Sequence, residues 1–145
     1  MENKIFIKSA ANPETTKIYK SGVTNSDITA IQMQVGNGIA VVTTGIAGRI
    51  YLPCGVTVYE WCILADASGS MVFDIWVDTY PNVPAIADTI TAAAKPTLSS
   101  VQYNRSSALT GWITCLKAGS WLIVNVDSCT TIKQATLCLL CRKGL

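Results

Sequence analysis

Residues 70–84, SMVFDIWVDTYPNVP, set Asp74 and Asp78 on either side of Trp76. Two carboxylates flanking an aromatic ring could serve a glycosidase, a sugar-binding groove or a metal site. The stretch reads as a strand, and a period of two puts Phe73, Ile75 and Val77 on one face and Asp74, Trp76 and Asp78 on the other. The first set forms the expected core face. Four residues at about 3.3 Å each separate the two aspartate α-carbons by roughly 13 Å. A retaining glycosidase needs its carboxyls about 5 Å apart, and an inverting one no more than about 9.5 Å. The pair is badly placed as a catalytic dyad. Trp76, with Tyr80 just beyond it, could stack on a sugar or meet another subunit. The preferred reading is a solvated strand face whose ring is covered by a neighbouring chain.

Other chemistries fare no better. The 145 residues contain no histidine, which removes Ser–His and Cys–His nucleophiles and most catalytic zinc sites. Cys138 and Cys141 make the single Cys-x-x-Cys, but on a strand their thiols would point to opposite faces. A structural zinc that also used Cys54 and Cys62 is conceivable only if that pattern breaks. No phosphate-binding glycine-lysine loop or dinucleotide fingerprint is present. The glycine-rich GIAGRIYLPCG has no helix pattern after it to receive a phosphate. The nine carboxylates are scattered, with no calcium-loop spacing. The expectation is a protein without catalytic residues, cofactor or metal.

Composition narrows the class further. Half of the residues are hydrophobic and 14% are charged, against about a quarter in ordinary domains. A net charge of +2 offers no basic stripe for nucleic acid. Polar surface must come largely from Ser, Thr, Asn and Gln. Such a surface suits a chain that packs against copies of itself or against a larger shell. The N-terminus has no apolar run long enough for a signal peptide or a membrane span, so synthesis in a cytoplasm is expected, with the six cysteines reduced there. Several lie inside strand patterns, where thiols act as small hydrophobes.

The elements that must position these residues are short strands with turn punctuation. Strand patterns occur at 28–35, 39–44, 48–53, 56–65, 70–79, 111–116, 120–128 and 131–142, with a further one around Ile5, Phe6 and Ile7. Residues 81–110 break the pattern: Pro84 could start a short helix over AIADTITAAA, and SSVQYNRSSALT reads as loop. Many strands with one long connection predict an all-β, jelly-roll-like antiparallel β-sandwich with a short helix in that connection. Residues 1–38 read as an N-terminal strand and linker, an anchoring or swapped segment, and residues 39–145 as the sandwich domain.

The segments ADASGSMVFDIWVDTYPNVP, ADTITAAAKPTLSS and AGSWLIVNVDS, together with the TTGIAGRIYLPCG run before them, resemble a β-domain of tailed-bacteriophage virion proteins. That domain occurs in tail fibres, head fibres and capsid-associated proteins, and the likeness spans roughly residues 43–128. The resemblance implies a jelly-roll-like sandwich, no catalysis and a homotrimer. The chain departs from the pattern in its cysteines and in the shortness of what precedes the domain. A fibre shaft would not fit in residues 1–40, which favours a small virion component. The expectation is therefore a trimeric capsid decoration or cement protein that bridges copies of the phage major capsid protein. It would be made in the host cytoplasm and resident in the virion. Its candidate interface is Asp74, Trp76, Asp78 and Tyr80, joined by whichever of Tyr59 and Trp61 lies off the core face. Its candidate anchor is Ile5, Phe6 and Ile7. The alternative is a fibre module that binds a host surface glycan.

Overall fold

The structure, a computed structural model, describes residues 27–144. The proposed anchor at Ile5, Phe6 and Ile7 lies outside them. Seven strands follow in chain order: β1 (Ile28–Gly36), β2 (Gly45–Leu52), β3 (Val56–Thr79), β4 (Thr97–Ser106), β5 (Cys115–Leu116), β6 (Ser120–Thr130) and β7 (Gln134–Lys143). All pairings are antiparallel, in the order β1-β7-β3-β6-β2, with β4 and β5 also paired to β3.

The organising element is β3. The sequence patterns at 56–65 and 70–79 are one strand of 24 residues. Its first half pairs with β7, from Val56 opposite Lys143 to Ala65 opposite Ala135. Its second half pairs with β6, from Ser70 opposite Thr130 to Thr79 opposite Ser120. The segment 120–143 thus runs back along the whole of β3 as a two-stranded ribbon, bent once in the middle. Adding β1 to β7 makes one layer, and adding β2 to β6 makes the other. The layers face each other closely: a Cβ on Gly48 of β2 would come within 2.8 Å of the Met33 sulfur of β1.

Local chemistry makes the bend. A Cβ on Gly69 would stand 2.6 Å from the Thr130 carbonyl oxygen, so only glycine lets the two strands approach there. Thr131 (φ 74°) and Ser100 (φ 56°) adopt left-handed backbone at the same level of the partner strands, a conformation that costs a β-branched residue most. Asp66 Oδ1 accepts hydrogen bonds from the Lys133 and Gln134 amides at 3.1 and 3.2 Å. Ser70 Oγ accepts one from the Ser100 amide at 3.0 Å. These bonds satisfy backbone groups that the interrupted ladder leaves over.

Val58, Trp61, Ile63, Leu137 and Leu139 from one layer meet Met71, Phe73, Ile75, Leu122 and Val124 from the other in one core. The fold is all-β and sandwich-like, as the strand patterns predict. Four local expectations need correction. AIADTITAAA forms no helix: Ile86–Asp88 makes a three-residue 3-10 turn, and the segment instead lies along the edge of β3, with Ile90 N–H donating to the Ile75 carbonyl at 2.9 Å. SSVQYNRS is not loop but part of β4, a strand exposed along most of its length. Its polar composition hid it. The 39–44 pattern is not a strand, and 111–116 contributes only the two residues of β5. Among the described residues, β1 pairs with β7 along its whole length, so Ile28–Gly36 packs as a strand of the sandwich.

Candidate functional site

β3 delivers Asp74, Trp76 and Asp78 to the face opposite the Phe73–Ile75 core, as alternation requires. That face is not solvated around Asp74, which is 1% exposed. The long connection closes over it. Thr89 Oγ1 donates to Asp74 Oδ1 at 2.6 Å and Thr91 Oγ1 at 2.8 Å. The Ile75 amide donates to the same oxygen at 2.8 Å. Lys95 Nζ stands 3.2 Å from Oδ2 and 2.7 Å from Asp127 Oδ2. Asp127 is brought there by a bulge, since β6 carries one extra residue between the partners of Val72 and Phe73.

Burial pushes the Asp74 carboxyl up, but hydrogen bonds from Thr89 and Thr91, together with the nearby Trp76 indole and the Lys95 ammonium, outweigh it and hold it below its ordinary range. The Trp76 indole N–H is buried without a hydrogen bond of good geometry, so it acts on the carboxylate as a nearby dipole. The Asp127 hydrogen bond, opposed by burial and helped by Asp74, raises the Lys95 ammonium. The group is an internal clamp. Its carboxylate is already saturated with donors and is closed to a substrate.

The expectation of a solvated Asp74 is overturned, and Trp76, expected to be covered by a neighbouring chain, is already buried within its own. Its ring is 9% exposed and faces its register partner Ile123, so it offers no surface for stacking on a sugar. Asp78 is half-buried, and Tyr80 is exposed. Of the other two aromatics, Trp61 belongs to the core, while Tyr59 is half-buried beneath the Arg142 guanidinium, 4.9 Å from the ring centroid.

Alternation could not reveal that the accessible aromatics lie on neighbouring strands. Tyr51 of β2 pairs with Trp121 of β6, which pairs with Asp78 of β3. The Tyr51 and Trp121 rings meet edge to face, with centroids 5.2 Å apart. A second accessible region lies on the other layer. There Leu64 (60% exposed) is opposite Tyr103 (72% exposed). Both line an open groove of about 690 Å³ with Gln32, Cys62, Arg105 and Cys138. Arg105 Nε reaches Glu60 Oε2 at 3.1 Å beside it.

The Cys-x-x-Cys thiols do point to opposite faces: Cys141 is in the core, and Cys138 lines the groove. The four-cysteine zinc arrangement is therefore not assembled. Among the described residues, no three of His, Cys, Asp or Glu gather as a metal site, and no helix is long and apolar enough to cross a membrane.

No family model matches the chain, and no curated protein matches it. A solved structure described as "Structure of infectious bursal disease virus Gx strain" aligns with 91% of this chain and 42% of its own, at 13% identity and a TM-score of 0.30. At that TM-score the likeness establishes neither a shared fold nor a shared role.

Proposed function

We propose that this chain is a non-enzymatic structural component of a tailed-bacteriophage virion, a homotrimer that decorates and cements the capsid. The observation that carries the reading is the contrast between a saturated Asp74 and freely exposed large apolar side chains. Asp74, the one buried carboxylate among the described residues, fixes a connection to the sandwich, while Leu64 and Tyr103 on one layer, and Tyr80, Val83 and Ile86 on the connection, stand in solvent. Exposed apolar groups in a charge-poor surface suit contacts between subunits and with a shell. The resemblance of residues 43–128 to virion β-domains supports the same reading. Trimers would seat over junctions of the major capsid protein and bury these side chains there.

The edge-to-face pair of Tyr51 and Trp121 beside Asp78 favours a second reading. Aromatic faces next to a carboxylate can stack on and hydrogen bond a host glycan, as a fibre module requires. Copy number in purified particles separates the two. Hundreds of copies per virion support the cement role, a handful support the fibre role, and absence from the particle overturns both.

A further inference from the structure

The six cysteines are all unbridged and fall into three kinds. Cys129 and Cys141 donate to backbone carbonyls of Ile132 and Leu139 at 3.4 and 3.5 Å. Cys54 and Cys115 are exposed. Cys62 and Cys138 differ from both kinds, because they stand directly opposite each other on β3 and β7. Residues so placed have α-carbons about 4.5 or 5.5 Å apart, depending on the type of antiparallel pair. Both values lie within the roughly 4.4–6.8 Å that a disulfide spans.

The two side chains share the outer face and line the same open groove. Gln32 Nε2 contacts Cys138 Sγ at 3.6 Å from the next strand. Burial first, and then the neighbouring Cys138, push the Cys62 thiol above its ordinary value, which makes Cys62 slow to react at neutral pH. We propose that Cys62 and Cys138 form a latent cross-strand disulfide, closed by exchange with a small-molecule disulfide such as oxidised glutathione. Cys62, the more exposed of the two, attacks first as its thiolate. Its sulfur bonds to one glutathione sulfur and expels the other as glutathione thiolate. The Cys138 thiolate then attacks Cys62 Sγ and displaces the second glutathione. Two protein thiols become one disulfide, one oxidised glutathione becomes two reduced ones, and the two protein thiol protons end on them.

The bridge staples β3 to β7 across a loop running from residue 62 to residue 138. Closing so long a loop restricts the unfolded chain strongly, and the β-carbons of a directly opposed pair, about 4.5–5.5 Å apart, have to close to the roughly 3.5–4.5 Å of a disulfide.

The test uses the full chain carrying C54S and C115S, which removes the exposed thiols that could bridge between molecules. It is incubated with oxidised glutathione in mildly alkaline buffer, and non-reducing peptide mapping locates the product. The expected result is a Cys62–Cys138 linkage with Cys129 and Cys141 still thiols. Tm should rise by about 10 °C and fall back with dithiothreitol. Adding C138S should halt the reaction at a glutathione adduct on Cys62 with no rise in Tm. Intact mass of the unsubstituted chain, with two hydrogens lost at the same sites, guards against a folding defect in the variants. A persistent glutathione adduct on Cys62 in the presence of Cys138, linkage through another cysteine, or no loss of thiols would overturn the proposal.

Discussion

The two halves of β3 have the same alternation and opposite fates. In the second half, Phe73 and Ile75 face the core while Asp74 and Trp76 face outward, and the chain's own 89–95 segment closes over the outward face. In the first half, Trp61 and Ile63 face the core while Cys62 and Leu64 face outward, and the described residues leave an open groove there. Alternation identifies the core face in both. It does not say what, if anything, covers the other face. That depends on the route of a connection far along the chain, and it determines whether a carboxylate is a structural clamp or a surface group.

The largest effect should come from the face the halves share. Phe73 is fully buried at the junction of the two layers. Phe73→Ala should cost about 3–5 kcal/mol through the cavity it leaves, read as a lower denaturant midpoint. A cost below about 1 kcal/mol would mean that the core is not packed as described.

Next comes the clamp, which sharpens the contrast between the halves. Asp74→Ala strands two threonine hydroxyls and a backbone amide and should cost about 3 kcal/mol. Asp74→Asn keeps an acceptor and should cost about 1–2 kcal/mol. Asp78→Asn, with its carboxyl half-buried near the end of the strand, should stay within about 0.5 kcal/mol. Chemical denaturation of the three variants measures this order, and equal costs at positions 74 and 78 would remove the distinction.

The same clamp sets a pH signature. Because the folded Asp74 carboxyl lies below its ordinary value of 3.8, its contribution is complete above that value and is lost as pH falls through the folded one. Lys95 is raised above 10.5, so its contribution is present below that value and is lost as pH rises through the folded one. Stability should therefore fall at both extremes, and Asp74→Ala should flatten the acid limb of the profile. An unchanged acid limb would place the acid sensitivity elsewhere.

What could be read in the sequence follows the same division. Apolar alternation marked β1, both halves of β3, β6 and β7, because inward-facing Val, Ile, Leu and Phe repeat every second residue. It failed at β4, whose residues are nearly all exposed and whose Ser, Asn and Gln therefore resemble a loop. It failed in the other direction at 39–44, where an apolar run pairs with no strand, and at AIADTITAAA, where Pro84 resembled a helix start although Ile90 and Thr91 are buried against β3 instead. Asp74 was legible as a face and not as a site: its partners lie 15, 17 and 21 residues away in a segment that offers no local pattern.

The smallest effect on stability should come from the open half, where the effect on association should be greatest. Leu64 and Tyr103 are register partners with little to lose on truncation in the isolated chain, so Leu64→Ser and Tyr103→Ser should each stay within about 0.5 kcal/mol. If this face meets another copy, the same substitutions remove buried apolar contacts from every interface of a trimer at once. Sedimentation should then show the double variant as a folded monomer at concentrations where the parent is a trimer. A parent that is itself monomeric at micromolar concentration would count against the trimer. A double variant that remains trimeric would move the interface away from this groove, toward the exposed Tyr80, Val83 and Ile86 of the connection.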